Sequence, residues 1–289
     1  MNRRTRAGTV VAVMMLVATA CGPGGPSNRA APGTSTSTTT ATSTTTKATT
    51  TTTTTTTSSP TPTSPSPPPS GTGPTAPPPS PATVVANGRT ALKVVALTFD
   101  AGSDAGNTAR VLEILANNRI HATFGITGLW AQANPGLVDQ IAASGDQIVN
   151  HSWDHQSFTG YSTKTAPLTA AQITQELVRT DTLIRQLTGT GTAGWFRPPY
   201  GDRNASVDQI AGAAGYRYDL MWTVDTLGWK GAPPSTVVAR SLASAVPGEI
   251  ILMHVGSAST DAAALPTVIA ALEARGYSFA TVAAITQSP

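Results

Sequence analysis

Hydrophobic and polar positions follow two different periods along residues 93–282. Short runs rich in β-branched and aromatic residues read as strands: Lys93–Phe99, His121–Ile126, Gln147–Asn150, Trp195–Arg197, Tyr218–Val224, Glu249–His254 and Ser278–Val282. Between them apolar residues recur at helical spacing over Thr108–Asn118, Pro135–Ala143, Thr169–Thr188, Ser206–Ala214, Ser235–Ala245 and Ala262–Arg275. Gly145, Gly189, Gly215 and Gly276 fall where these helices should stop. The alternation predicts βα units around a parallel sheet or barrel, and seven strands are one short of a complete eightfold barrel.

The N-terminal part follows neither period. Arg3, Arg4 and Arg6 precede an apolar run, Ala7–Ala20, that is short for a membrane span and is closed by small residues. Residues 1–20 are therefore expected to be a signal peptide. Val17-Ala18-Thr19-Ala20-Cys21 resembles a bacterial lipobox, with the only cysteine of the chain where acylation needs it. The expectation is an exported membrane lipoprotein facing the cell wall, with plain secretion as the alternative. Residues 21–83 are Thr, Ser, Pro and Gly with almost no large apolar side chain, and they include an unbroken Thr49–Thr57 run. Such a segment cannot bury enough surface to offset its ordering entropy, so it is expected to be a disordered stalk, open to O-glycosylation. Residues 84–289 then form one α/β domain.

The chain carries a net charge of +3, but residues 1–89 hold six of the bases and no acid, leaving twelve Lys and Arg against fifteen Asp and Glu. That balance offers no basic footprint for nucleic acid. Without a cysteine the domain has neither disulfides nor thiolate metal sites. The domain is expected to act as a monomer.

Three separated pieces carry candidate chemistry: Thr98-Phe99-Asp100, His151-Ser152-Trp153-Asp154-His155 and Leu252-Met253-His254. They contain three of the four histidines, and each polar group closes a predicted strand, where α/β barrels place their chemistry. His151 and His155 can converge on one ion, although such a pair also reads as surface histidines. In Arg197-Pro198-Pro199-Tyr200-Gly201 two prolines fix the backbone between an arginine and a tyrosine. Asp225 follows a predicted strand, four residues before Trp229, and by itself reads as a loop residue or cap. His121 reads as structural and Asp154 as a residue turned away from any ion. Trp130, Trp153, Trp195 and Trp222 read equally as groove walls or core.

In this order, TFDA (Thr98–Ala101), HSWDH, RPPYG, DTLGW (Asp225–Trp229) and LMH resemble the motifs of NodB-type polysaccharide deacetylases, carbohydrate esterase family 4. The resemblance covers nearly the whole domain. It implies a distorted (β/α) barrel of about seven parallel strands and removal of acetyl groups from polymers containing N-acetylglucosamine, such as peptidoglycan or chitin. It also implies a divalent metal, zinc first, with cobalt, nickel or manganese as alternatives. Asp100 matches the catalytic base, and Arg197 the arginine that pairs with it. His151 and His155 match the metal histidines. The Tyr200 backbone N–H matches an oxyanion donor, and His254 the catalytic acid oriented by Asp225. Trp229, with Tyr200 and Pro199, matches the substrate groove.

The roles are chemically coherent. An amide resists neutral water, so a metal that lowers the pKa of a water and polarises the carbonyl is useful twice, and a cationic imidazole can protonate the leaving amine. One position departs from the pattern: where the family has a second, metal-binding aspartate stands Ala101. Asp104 in the following loop is the candidate replacement ligand. Two other readings stay open, a catalytically silent glycan-binding lipoprotein and an O-acetyl (xylan) esterase.

Overall fold

The computed structural model describes residues 79–287, so the expectations for the signal peptide, the lipid anchor and the stalk before residue 79 lie outside the described residues. The domain is an α/β sheet of nine strands: β1 (Thr83–Val85), β2 (Val94–Ala101), β3 (Thr123–Ile126), β4 (Gln147–Asn150), β5 (Trp195–Phe196), β6 (Tyr218–Leu220), β7 (Val224–Asp225), β8 (Ile250–His254) and β9 (Ser278–Phe279). Every pairing between them is parallel. The order is β1-β6-β5-β4-β3-β2-β8-β7, with β9 beside the start of β2. In β2 every residue but Val94 is buried, the mark of a central parallel strand covered on both faces.

Closure follows from the chain path. β6 and β7 lie near opposite ends of the strand order, yet only Met221–Thr223 separate them, a span of at most about 14 Å. The sheet must therefore curl until its ends approach, which gives the expected distorted barrel. A single strand Tyr218–Val224 was the sequence expectation, and the break has a clear cause. Met221 N–H donates to Val85 O at one edge, whereas Thr223 N–H donates to Ile250 O at the other.

Helices cover the outside: α1 (Thr108–Asn118), α2 (Gly128–Ala133), α3 (Pro135–Ala143), α4 (Ala170–Thr188), α5 (Ala205–Ala213), α6 (Pro234–Ala243) and α7 (Asp261–Ala274). Val95, Leu97 and Phe99 of β2 join the cluster packed under them, with Phe99 stacked on Phe124 at 5.3 Å. The alternate residues face the barrel interior, where Ala96 meets Val149, Trp195, Leu220 and Ile250. A last helix, α8 (Val282–Gln287), closes the end where the strands begin. Val282 and Ile285 enter this inner cluster, and the Val282 and Ala283 N–H groups donate to the side chains of Thr123 and Gln147.

β1, α2 and α8 are absent from the sequence expectation. The fold also starts before residue 84: Ala82 N–H donates to Asp208 O, Gln209 Nε2 donates to Pro79 O, and Thr83 opens β1 against β6.

Candidate active site

At the carboxyl ends of the strands lies a cleft of about 700 Å³, lined by Asp100, His151, His155, Tyr200, Trp229 and His254 among others. Strand register creates it. Asp100 near the end of β2 sits opposite His254 at the end of β8 and opposite Gly125 of β3. Glycine is needed at 125, because a Cβ there would clash with Asp100 Oδ1.

Arg197 follows β5 and is fully buried, its backbone N–H donating to Asn150 O at 2.7 Å. Its guanidinium donates to Asp100 Oδ1 at 2.6 Å, Thr98 Oγ1 at 3.0 Å and Leu220 O at 3.2 Å. Burial pushes the Asp100 carboxyl up, but Arg197, helped by His151 and His254, more than offsets this and holds it at about 2. Asp100 is thus kept ionised.

His151 follows β4, its N–H donating to Ile126 O. Its Nδ1 lies 2.9 Å from the Arg197 carbonyl oxygen; a carbonyl only accepts, so Nδ1 carries the proton and Nε2 keeps its lone pair. The loop then turns sharply. Ser152 and His155 both take left-handed backbone, φ 66° and 65°, held by Ser152 N–H on Asn150 Oδ1 and His155 N–H on Ser152 Oγ. The two imidazoles stand 4.8 Å apart, and His155 packs edge-on against Tyr200, itself at φ 61°. Burial is the main influence pushing both histidines down, His155 to about 4, so both are neutral imidazoles at pH 7. Such a concentration of non-glycine left-handed residues is typical of functional loops.

This donor set fits a cation. His151 Nε2 lies 3.4 Å from Asp100 Oδ2, and two acceptors at that separation call for positive charge between or beside them. Burial disfavours a proton on His151, whereas a divalent ion suits neutral imidazole. The set is nonetheless sparse. Ala101 is buried at the end of β2, and among the described residues no group of three His, Cys, Asp or Glu side chains converges as a ligand cluster.

Three candidates stand elsewhere than the sequence reading put them. The Asp104 carboxylate is taken up by Ser257, accepting from its N–H at 2.8 Å and its hydroxyl at 2.7 Å, and does not line the cleft. Pro199 is buried, and its neighbour Pro198 lines the cleft instead. Asp225 accepts from the Trp229 indole N–H with both oxygens at 3.2 Å and from the Leu227 N–H at 2.9 Å. It makes no ion pair with His254; among the described residues the only carboxylate–imidazole pair is Asp100–His151. Asp154 turns to Gln156, and the half-exposed Trp229 ring lies 5.9 Å from His254. Asn150 and Gly125 support the site without having been named as site residues in the sequence, and Thr98 was named only within its motif, since their roles depend on partners distant in sequence.

Comparison with known proteins places the domain in one family. Residues 87–218 match the family model described as polysaccharide deacetylase. Over 198 residues the chain is 30% identical to a peptidoglycan-N-acetylglucosamine deacetylase of Bacillus cereus, covering 67% of this chain and 68% of that protein. The chain belongs to the polysaccharide deacetylase family. It is also 35% identical over 190 residues to the peptidoglycan-N-acetylglucosamine deacetylase PgdA of Listeria monocytogenes. That alignment covers 66% of this chain but 38% of the Listeria protein, so the chain spans well under half of that relative's length. Among solved structures, a family pseudoenzyme from Bacillus anthracis superposes with a TM-score of 0.64 at 30% identity, over 71% of this chain and 69% of that one.

Proposed function

We propose that the domain removes N-acetyl groups from an N-acetylglucosamine-containing polymer of the cell envelope, with peptidoglycan as the foremost substrate. The observation that carries the reading is Asp100, held ionised by a buried Arg197 and set across adjacent strands from His254 in one open cleft. Asp100 takes a proton from the attacking water, and His254 delivers one to the leaving amine. The Tyr200 N–H is the oxyanion donor, and the exposed Tyr200 and Trp229 rings provide apolar faces for sugar rings. A divalent ion held by His151 and His155, zinc being the natural choice for two imidazoles, would supply a Lewis acid that acidifies water and polarises the acetyl carbonyl. A carboxylate at about 2 is a weak base, so it needs such help.

A catalytically silent glycan binder is the second reading, favoured by Ala101 and by the Bacillus anthracis relative described as a pseudoenzyme. The retained acid, base and arginine favour activity. Acetate release is measured from peptidoglycan and chitin oligomers and from acetylated xylan, with zinc supplied and with chelator. Zinc-dependent acetate from the N-acetylated polymers supports the proposal. Acetate from xylan alone indicates an O-acetyl esterase, and glycan binding without acetate overturns the enzymatic reading.

A further inference from the structure

His254 closes β8 with its side chain half-buried and its Nδ1 buried without any partner. An imidazole that gives up a proton at one nitrogen works best when a carboxylate fixes its orientation and supports its charge. Asp225 is engaged with Trp229 and Leu227 and so does not do this. Another carboxylate holds His254 by its backbone. Asp261, the first residue of α7, is fully buried, and its Oδ2 accepts the His254 backbone N–H at 2.8 Å and the Ser259 hydroxyl at 2.8 Å. Its Oδ1 accepts the Thr226 hydroxyl at 2.7 Å.

We propose that Asp261, rather than Asp225, is the positioning residue that orients His254 and supports its positive charge. Asp261 ties together the loop after β7 through Thr226, the end of β8 through His254 and the start of α7, so the backbone that carries the imidazole hangs on one carboxylate. Burial pushes the Asp261 carboxyl up, while its hydrogen-bond donors and the charge of His254 pull it down, so the two side chains are electrostatically linked. Gly228 supplies independent support. A Cβ at 228 would clash with the Asp261 carboxylate, so glycine at the fourth position of the DTLGW motif leaves the space that Asp261 occupies from the other side. The other titratable groups around His254 are Asp100 from β2, Asp225 from β7 and His151 and His155 from the loop after β4. None of them accepts a hydrogen bond from His254 among the described residues.

The inference rests on His254 acting as the acid of the proposed deacetylation, but its test has a readout that needs no activity. In the full chain the His254 ring is titrated by NMR, assigned with His254→Gln, alongside the pH profile of kcat/KM for acetate release. Asp261→Asn is expected to move the titration midpoint of His254 about one pH unit lower, and the alkaline limb of the profile with it. Asp225→Asn is expected to leave that midpoint in place and to raise KM through Trp229. Should Asp261→Asn fail to fold, Gly228→Asp combined with Asp261→Ala returns a carboxylate to the same space from the opposite wall. That pair is expected to restore the midpoint to within a few tenths of a unit, and a midpoint left low in a folded double variant overturns the proposal. A midpoint that follows Asp225 and ignores Asp261 also overturns it. A midpoint shift in Asp261→Asn with no acetate released by the native chain would support the Asp261–His254 link and refute the deacetylase reading alone.

Discussion

Removing Arg197 tests the electrostatic centre of the site most directly. Its guanidinium is the chief influence lowering Asp100, which stands at about 2 against an ordinary value of 3.8. At 1.36 kcal/mol per unit, that depression corresponds to about 2 kcal/mol of folding stability. The sign is that of a lowered carboxylate: the contribution is complete above pH 3.8 and fades as pH falls towards about 2. Arg197→Met does more than remove this gain. It leaves a buried carboxylate facing desolvation with its cation gone, a defect that costs roughly 3–5 kcal/mol near neutral pH. Burial then lifts the unpaired Asp100 above 3.8, so acidification relieves the variant by protonating it while the native pair is still ionised. Urea unfolding of both proteins in chelator at pH 7 and pH 4 measures the gap. The expected gap is several kcal/mol at pH 7, narrowing by more than about 1 kcal/mol at pH 4. Asp100→Asn combined with Arg197→Met removes both charges and should recover much of the loss. A gap below about 1 kcal/mol at pH 7, or one indifferent to pH, would refute the claim that Arg197 holds a buried charge in place.

Asp100→Asn and His254→Ala should each lower kcat for acetate release by roughly 10²-fold or more with the fold intact by circular dichroism, and near-normal turnover in either would end its assignment. His151→Ala or His155→Ala should abolish zinc binding measured by calorimetry, whereas Ala101→Asp should tighten it by about 10–100-fold. Asp104→Ala should leave zinc affinity unchanged and lower thermal stability instead, because its carboxylate holds Ser257; weaker zinc binding would return Asp104 to the ligand set. Mass spectrometry of protein from native membranes should find Cys21 acylated at a mature N-terminus, and unmodified protein retaining residues 1–20 would contradict this.

Long, strongly patterned elements were legible in the sequence. α1, α3 and β4 have the bounds that periodicity predicts, because each buries a clear stripe or run of apolar side chains. β1, α2 and α8 span three or six residues and carry too little pattern to be seen. The Tyr218–Val224 run reads as one strand because its break is set by partners on two distant edges. At the site, the motifs named the side chains and the parallel register gathered them. What they could not give was the pairing of carboxylates. Asp104 was expected as a replacement metal ligand and Asp261 was not named at all, because their partners, Ser257 and Thr226, lie 153 and 35 residues away. The left-handed backbone at Ser152, His155, Tyr200 and Leu227 likewise has no signature in residue type.

β1 runs parallel to β6, so Thr83 sits at the strand-beginning end of the barrel, the pole opposite the cleft. Pro79 and Ala82 are already fastened there to Gln209 and Asp208 of α5. A pull applied at Pro79 itself would be borne by β1 and α5, away from the mouth of the cleft. Strain arriving at that pole would therefore load the back of the barrel and leave the strand ends that frame the cleft undisturbed.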